Sequence, residues 1–204
     1  MTSPTTTAPA AADRHTTAQT SDPAAIPPGK GSPMTADKEQ LLVVRPGEGE
    51  LVELAKGLGV DFKIWGHQTK GRLAIVEHPI AARRLVPPHT HTMEDEFSYV
   101  LEGTIGVRVG DDVALAEQGS YIYKPCGIPH TYWNPTDAPA RLLEIICPAG
   151  FENYFAEISQ AFASGVRPGS PEHQQIADRY HEHHFADWIP ELKDRYGLKV
   201  IGEQ

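Results

Sequence analysis

The sequence predicts an all-β sandwich or barrel between a disordered tail and a C-terminal helical extension. Three observations lead to this prediction. Short β-rich runs follow one another along the middle of the chain, with Gly, Pro and Asp between them. Residues 1–38 consist mainly of Ala, Thr, Pro and Ser. After Pro148, apolar residues recur at helical spacing.

The tail, residues 1–38, has few large apolar side chains. Such a composition cannot offset the entropy that is lost when a chain becomes ordered, so we predict that this segment is disordered. Met34 offers an alternative start, because every segment with a folded pattern follows it. The sequence leaves the role of the tail open.

Eight short runs predict the strands of a barrel that we place at residues 39–149. They lie at residues 41–45, 62–65, 73–78, 97–101, 105–109, 121–124, 131–133 and 141–147. Gly110, Asp111 and Asp112 are typical of a hairpin turn between two of these strands. Many short strands separated by turn residues are typical of a sandwich or barrel.

The helical extension, residues 150–204, is predicted to pack on the barrel. Its first helix presents one apolar stripe, which consists of Phe151, Tyr154, Phe155, Ile158 and Phe162. Gly165 and Pro168 end this helix. A second helical run covers residues 171–184, and residues 188–200 form a short helix and an extended tail.

Composition excludes some classes of function. The 204 residues carry a net charge of -9 at pH 7, which argues against a protein that binds nucleic acid through a basic face. No stretch approaches the roughly 20 apolar residues of a membrane span, and because the N-terminal residues lack an apolar h-region we expect no secretory signal. We expect a cytoplasmic protein with a small-molecule substrate, O2 as a possible co-substrate and neither nucleic acid nor a membrane as a partner. Edge strands are usually protected, and the sequence leaves open whether a homodimer covers the exposed edge of the barrel.

Four residues predict a metal centre. His89 and His91 are two apart, so on a strand both imidazoles point to the same face. A short polar turn brings Glu96 back beside them on the next strand. His130 follows a rigid segment rich in Gly and Pro and adds a third imidazole. Three imidazoles and a carboxylate suit one divalent transition-metal ion, with Fe, Ni, Mn, Cu, Co and Zn left open.

The same residues resemble the two motifs of the cupin superfamily, G-x5-H-x-H-x(3,4)-E-x6-G and G-x5-P-x-G-x2-H-x3-N. The first motif spans residues 83–103, with Arg83 in place of its leading glycine. The second is complete and spans residues 119–134. Residues 94–103 and 148–152 also resemble bacterial quercetin-dioxygenase-like cupins. The resemblance covers about residues 42–160 and implies a double-stranded β-helix, or jelly-roll, barrel.

The resemblance implies a metal-dependent dioxygenase that acts on a small aromatic or enolic compound. In quercetinase-like enzymes the residue at the position of Glu96 is both a metal ligand and the base that takes the substrate proton. Two alternatives stay open. The first is a non-redox metalloenzyme, such as an isomerase, hydrolase or decarboxylase, which would turn over without oxygen. The second is a small-molecule-binding protein without activity.

Strand alternation predicts the neighbours of the metal. Ser98 and Val100 should share the inner face with Glu96, and Tyr132 and Asn134 should share it with His130. Tyr132 is a candidate catalytic residue that orients the substrate, with core packing as an equal alternative. Asn134 is expected to cap a turn. The candidate pocket walls include three aromatic residues, Trp65, Tyr121 and Tyr123. The strand pattern does not determine whether their side chains point inward or outward.

Three further features have a structural interpretation that we favour. Cys126 and Cys147 are expected to be reduced and buried as small apolar residues. The pair Arg83 and Arg84 is expected to be solvated rather than to attract an anionic substrate. The histidines at positions 181, 183 and 184 are expected to form a solvated surface, although helical spacing would let the first and last chelate a metal.

Overall fold

The computed structural model describes residues 41–204. The predicted disordered tail, residues 1–38, and the alternative start at Met34 lie outside the described residues. The described part contains thirteen strands and three α-helices. None of these helices is long and apolar enough to cross a membrane.

The strands form two sheets. In chain order they are β1 Glu50–Ala55, β2 Leu58–Ile64, β3 Ala74–Ile80, β4 Arg84–Leu85, β5 His89–His91, β6 Asp95–Glu102, β7 Thr104–Val109, β8 Asp112–Glu117, β9 Tyr121–Lys124, β10 His130–Trp133, β11 Ala140–Cys147, β12 Glu182–His184 and β13 Lys199–Val200. The first sheet has six strands in the order β1-β2-β3-β11-β6-β9. The second contains the path β12-β5-β10-β4-β13, and β7 joins it by pairing with β10 and β8. Neighbouring strands that are distant in the chain are typical of a jelly roll, so the predicted all-β barrel is confirmed.

The inner face of the first sheet carries a polar row within an apolar core. On β11, the inward residues Ala140, Leu142 and Ile146 are buried and apolar, but Glu144 between them is buried and charged. The register places Glu144 opposite Ser98 of β6. Burial of polar groups is costly unless they have partners, so this row indicates where in the barrel interior a functional site is expected.

Most of the predicted strands occur near their expected positions, but the first one is wrong. Residues 41–45 form no strand, and Leu41 is 86% exposed because no neighbouring strand covers it. Strands β1 and β8 were not predicted from the sequence. Both contain Glu and Ala, which have low β-propensity, and they are strands because they pair with β2 and β7.

The first helix of the extension is α1, Glu152–Ala163. Four residues of its predicted apolar stripe are buried in the main core, namely Phe151, Tyr154, Phe155 and Ile158. The helix ends one residue before Ser164, close to the predicted stop at Gly165. The prediction of a helix with one apolar face against the barrel is confirmed.

The second helix is shorter than predicted. It is α2, Pro171–Arg179, and it does not continue to residue 184. His181 has a φ of 57°, which a right-handed helix cannot accommodate. The chain then extends as β12 and pairs with β5, so the helical spacing assumed for His181 and His184 does not exist.

The last segment forms a second, smaller core around one tryptophan. Helix α3, Ile189–Tyr196, and strand β13 follow the prediction of a short helix and an extended tail. Trp133 points away from the barrel interior, is fully buried and packs with Leu85, Leu192 and Leu198. The extension is therefore part of the fold and covers the outer surface of β10.

Gly106 on β7 lies directly under the indole of Trp133. The two residues face each other in the β10–β7 register, and a methyl group at position 106 would overlap the indole ring. We expect Gly106→Ala to lower the free energy of unfolding by at least about 1–3 kcal/mol, because overpacking forces the core to shift. Urea unfolding measures this loss. In a Trp133→Leu background the same change should cost less, and an equal cost in both backgrounds would contradict the steric explanation.

Arg83 keeps the backbone conformation of the glycine that it replaces in the first motif. Its φ is 58°, in the left-handed region that favours glycine. Its guanidinium donates to both carboxylate oxygens of Asp137 at 2.8 and 3.0 Å. Arg84 donates to the backbone carbonyls of Val200 and Glu203. The expectation of a solvated pair is wrong, since both side chains tie loops and the C-terminal segment together.

The two cysteines are free, as predicted, and form no disulfide with each other. Both are exposed, so the expectation that they are buried apolar residues is wrong. Cys147 is the last residue of β11, and its position in the alternation faces outward. Cys126 lies in the turn before β10, where its backbone N–H donates to Asp95 Oδ1 at 2.8 Å.

Candidate metal centre

Strand β5 directs two imidazoles into the barrel. His89 and His91 are buried, and Thr90 between them is partly exposed, as the period of a strand requires. His130, the first residue of β10, pairs with His89 across the sheet. Glu96, near the start of β6, comes from the first sheet. The centre therefore lies where the two sheets meet.

The four predicted ligands converge. His89, His91, Glu96 and His130 are all buried, and one donor atom from each lies within 4.8 Å of the others. The imidazole Nε2 atoms of His91 and His130 lie 3.3 and 3.2 Å from the carboxylate oxygens of Glu96. This cluster is compatible with a single metal ion.

Hydrogen bonds set the protonation of two of the rings. His89 Nδ1 lies 2.7 Å from the carbonyl oxygen of Pro87, and His130 Nδ1 lies 3.0 Å from that of Ile128. A carbonyl oxygen only accepts, so each Nδ1 carries the proton and each Nε2 keeps its lone pair. Metal-binding histidines use their second nitrogen in this way, because the bond fixes the ring orientation.

Buried atoms without partners provide a test of whether a metal fits. Within residues 41–204, the buried Nε2 atoms of His91 and His130 make no hydrogen bond and have only the Glu96 carboxylate within ion-pair distance. Such groups are rare because an unpaired buried polar atom is costly. A cation among them would satisfy the nitrogens that face the centre, so the donor set fits a metal ion.

The charge states of His89 and Glu96 suit coordination, whereas for His91 burial alone would lower the pKa but Glu96 raises it above its usual value. Burial and the neighbouring His130 and His91 hold the pKa of His89 well below its usual range, so the ring is neutral. Burial alone would raise the pKa of Glu96, but Lys124 and His91 lower it well below its usual range. Neutral imidazole and ionised carboxylate are the forms that bind metals.

Comparison with known proteins supports the family. Residues 80–146 match the family model of the cupin domain. Both motifs overlap this range, and the match together with the two sheets confirms the predicted cupin-type barrel. It does not distinguish the quercetin-dioxygenase-like subtype from other cupins. No curated protein matches the chain.

Solved structures match about half of this chain at low sequence identity. An RmlC-like cupin from Shewanella frigidimarina is 19% identical with a TM-score of 0.48, over 56% of this chain and 98% of that chain. A predicted oxalate decarboxylase from Thermotoga maritima is 18% identical with a TM-score of 0.48, over 52% of this chain and 99% of that chain. KdgF from Halomonas sp. is 14% identical with a TM-score of 0.46, over 51% of this chain and 92% of that chain.

An ion-pair network extends from the candidate metal centre into the first sheet. Lys124 Nζ lies 2.7 Å from Glu96 Oε2 and also contacts Glu144 Oε1. Glu144 continues to His78 Nε2 at 3.1 Å and accepts a hydrogen bond from Ser98 at 3.0 Å. All five side chains are buried. Lys124 therefore holds the carboxylate of Glu96 from the side of the barrel interior.

A cavity of about 460 Å³ opens onto this centre. His89 and Glu96 line it, so the candidate metal site faces open space rather than packed core. Most of the wall is apolar and comes from both the barrel and the extension, with Leu54, Leu58, Val86, Phe151, Phe155, Ile158 and Phe162 among its residues. None of the described residues that line it is a lysine or arginine.

Strand alternation located the inner neighbours correctly. Ser98 and Val100 are buried on the same face as Glu96, and Tyr132 is buried and lines the cavity. Asn134 is buried but serves the turn: its Nδ2 donates to three backbone carbonyls and its Oδ1 accepts from Thr136. The prediction that Asn134 caps a turn is confirmed.

The three aromatic candidates for pocket walls do not line the cavity. Tyr121 and Tyr123 are 84% and 52% exposed on the outer face of β9. Trp65 stacks on Phe62 with ring centroids 4.3 Å apart. Besides residues of the barrel, the walls come from α1 and from the segment around β12. The sequence did not predict that these two segments lie beside the metal centre.

Strand β12 brings two further polar side chains to the centre. Glu182 pairs with His91, and His184 pairs with His89. Glu182 and His184 both line the cavity. His184 and His89 have ring centroids 6.1 Å apart. The interpretation of this histidine cluster as solvated surface holds for the exposed His181 and His183 but is wrong for His184.

Proposed function

We propose that this cupin is a metal-dependent dioxygenase that acts on a small aromatic or enolic compound. The observation that carries the proposal is the apolar cavity, which opens directly onto His89 and Glu96. Its aromatic and aliphatic walls suit a flat apolar compound, and its lack of lysine and arginine disfavours strongly anionic substrates such as phosphates. The resemblance to quercetin-dioxygenase-like cupins supplies the reaction class.

In this proposal His89, His91, Glu96 and His130 hold one divalent transition-metal ion. The ion would supply a Lewis acid and a redox-active centre, and four protein donors leave one or two positions for substrate or water. Glu96 is ionised and faces the cavity, so it can accept the proton of a substrate hydroxyl. Lys124 and the imidazoles of His91 and His130 hold its carboxylate in place.

Tyr132 is proposed to orient the substrate. It lines the cavity, and burial together with the nearby carboxylates of Glu144 and Glu96 raises its pKa well above its usual range. The hydroxyl therefore stays protonated and can donate a hydrogen bond to a substrate oxygen. A homodimer, a cytoplasmic location and O2 as co-substrate remain predictions.

Oxygen uptake tests the proposal. The chain is loaded separately with Fe, Ni, Mn, Co, Cu or Zn and given flavonols, β-diketones and catechols in an oxygen-electrode cell. We expect oxygen consumption in proportion to substrate loss with at least one redox-active metal, and none with Zn or with the His130→Ala variant. The variant tests the dependence on the site itself, because the rest of the cavity is retained.

A non-redox metalloenzyme is the second candidate, and one observation favours it. Glu182 in the same cavity has a pKa raised by burial to about 7, which suits a group that donates and accepts protons at neutral pH. Isomerisation or hydrolysis at the metal could use such a group. Substrate turnover that continues at an unchanged rate without oxygen would contradict the dioxygenase and support this second function.

A further inference from the structure

We propose that Glu182, from the C-terminal extension, is a ligand-binding residue of the cavity that hydrogen-bonds to a second oxygen of the compound held at the metal centre. The inference rests on the proposed metal site and adds a substrate class to it. The expected ligands carry two neighbouring oxygens, as catechols and hydroxyketones do. One oxygen would lie at the metal and the other at Glu182.

The pairing of β12 with β5 sets the position of Glu182. Glu182 and His91 are directly opposite each other in an antiparallel register. Side chains of such a pair lie on the same face of the sheet, with Cβ atoms about 4.5–5.5 Å apart. The carboxyl of Glu182 therefore stands beside a proposed metal ligand, on the side of the cavity that the extension builds.

One oxygen of Glu182 is left for a ligand. The residue is 4% exposed and lines the cavity. Its Oε1 lies 3.4 Å from His184 Nε2, whereas Oε2 is buried and has no hydrogen-bond partner among residues 41–204. A buried carboxyl oxygen normally has a partner. Because this one borders the open cavity next to the metal centre, the missing partner is a polar group of the ligand.

A chain of hydrogen bonds fixes the groups behind Glu182. The backbone N–H of Gly169 donates to His173 Nδ1 at 2.9 Å, so a neutral His173 carries its proton on Nε2. Nε2 lies 3.0 Å from the hydroxyl of Tyr154 and donates to it. The hydroxyl of Tyr154 also interacts with the carboxyl of Glu182, but Glu182 Oε2 has no hydrogen-bond partner among the described residues. Tyr154 and His173 are positioning residues in this arrangement.

The chemistry of the site favours a neutral or weakly acidic oxygen on the ligand. The unpartnered carboxyl oxygen of Glu182 can accept a hydrogen bond from a hydroxyl of the ligand, or donate one to a ligand oxygen when the carboxyl carries a proton. His91 of β5, Glu94 of the following turn and Glu96 of β6 face it from the barrel, and Tyr154 and His184 face it from the extension. A strongly anionic ligand would meet three carboxyl groups.

Two coloured probes test this inference on the full chain loaded with Zn, which prevents turnover. Para-nitrocatechol has two adjacent oxygens and para-nitrophenol has one, and both change colour on binding to a metal. We expect Glu182→Ala to weaken para-nitrocatechol binding about 10-fold to 100-fold, as the loss of a hydrogen bond to a charged group does. Para-nitrophenol binding should change by less than about twofold, because it has no second oxygen for Glu182.

Three variants separate a ligand contact from a structural role. Glu182→Gln keeps the shape and both hydrogen-bonding functions, so it should bind para-nitrocatechol more tightly than Glu182→Ala. Tyr154→Phe should give a smaller loss, since it removes a positioning group only. Glu117→Gln changes an exposed carboxylate on β8 and should leave both affinities unchanged. Metal content is measured for every variant.

The outcomes distinguish this inference from the proposed function. A wild-type chain that holds no metal overturns both. If the metal binds but wild-type affinity for the two probes is equal, or if Glu182→Ala weakens both probes alike or neither, only the role of Glu182 is overturned. A selective loss of para-nitrocatechol with normal metal content supports the inference even if no oxygen is consumed with any substrate.

Discussion

Replacing His130 with alanine should abolish stoichiometric binding of a divalent transition metal. The wild-type chain should retain a single ion after loading and desalting, because three imidazoles and Glu96 converge within 4.8 Å. His130 is the ligand that β10 contributes, and its Nδ1 bond to Ile128 already aims Nε2 at the centre. Without this ring the remaining donors come from β5 and β6 alone, and an alanine cannot replace the lost nitrogen.

Elemental analysis measures the metal content, and thermal unfolding gives an independent reading. A ligand at about 100 times its Kd stabilises the folded state by about 2.7 kcal/mol, so added metal should raise the Tm of the wild type. The Tm of His130→Ala should not respond. His183→Ala is the matched control, since His183 is an exposed histidine on β12 and would bind only adventitious metal. Full metal content in His130→Ala, or none in the wild type, would contradict the assignment.

The convergence of the four candidate metal ligands was predictable because their positions depend on local rules. The spacing of His89 and His91 places both on one face of any strand, and a short turn returns Glu96 to their side. The glycine and proline residues before His130 favour a turn regardless of the tertiary structure around them. Even the departure at Arg83 left the site intact, because the arginine adopts the left-handed conformation that the motif requires.

The walls of the cavity were not predictable in the same way. Glu182 and His184 reach the centre only because β12 pairs with β5, a contact between residues distant in the chain. Their sequence surroundings favoured a helix, and the positive φ of His181 that ends it has no clear signal in the sequence. Tertiary pairing overrode local propensity here, as it did for β1 and β8.

The burial of Lys124 in the barrel interior was also not predictable from the sequence. It ends a strand whose residues alternate, and no sequence pattern there predicts a buried ammonium group. In the structure its side chain is 1% exposed and lies between the carboxylates of Glu96 and Glu144. A buried lysine with two acidic partners can be recognised only when the register of β6, β9 and β11 is known.

Replacing Lys124 with methionine should lower the free energy of unfolding of the metal-free chain by about 3–5 kcal/mol. Methionine retains the aliphatic stem but leaves Glu96 and Glu144 as buried carboxylates without their shared cation. Removal of one partner from a buried ion pair is costly for this reason. Urea unfolding measures the loss, and Lys56→Met, at an exposed lysine, should change the stability by no more than about 0.5 kcal/mol.

A second change identifies the cause of that loss. Adding Glu144→Gln to Lys124→Met removes one of the two unpaired charges, so the double variant should be less destabilised than the sum of the single variants. Bound metal should also reduce the cost, because a cation beside Glu96 partly replaces the ammonium group. Strict additivity of the two variants, or a loss below about 1 kcal/mol for Lys124→Met, would show that the network does not act as a unit. The expected coupling would mean that the barrel interior and the metal centre share one set of buried charges, with Glu96 as the member common to both.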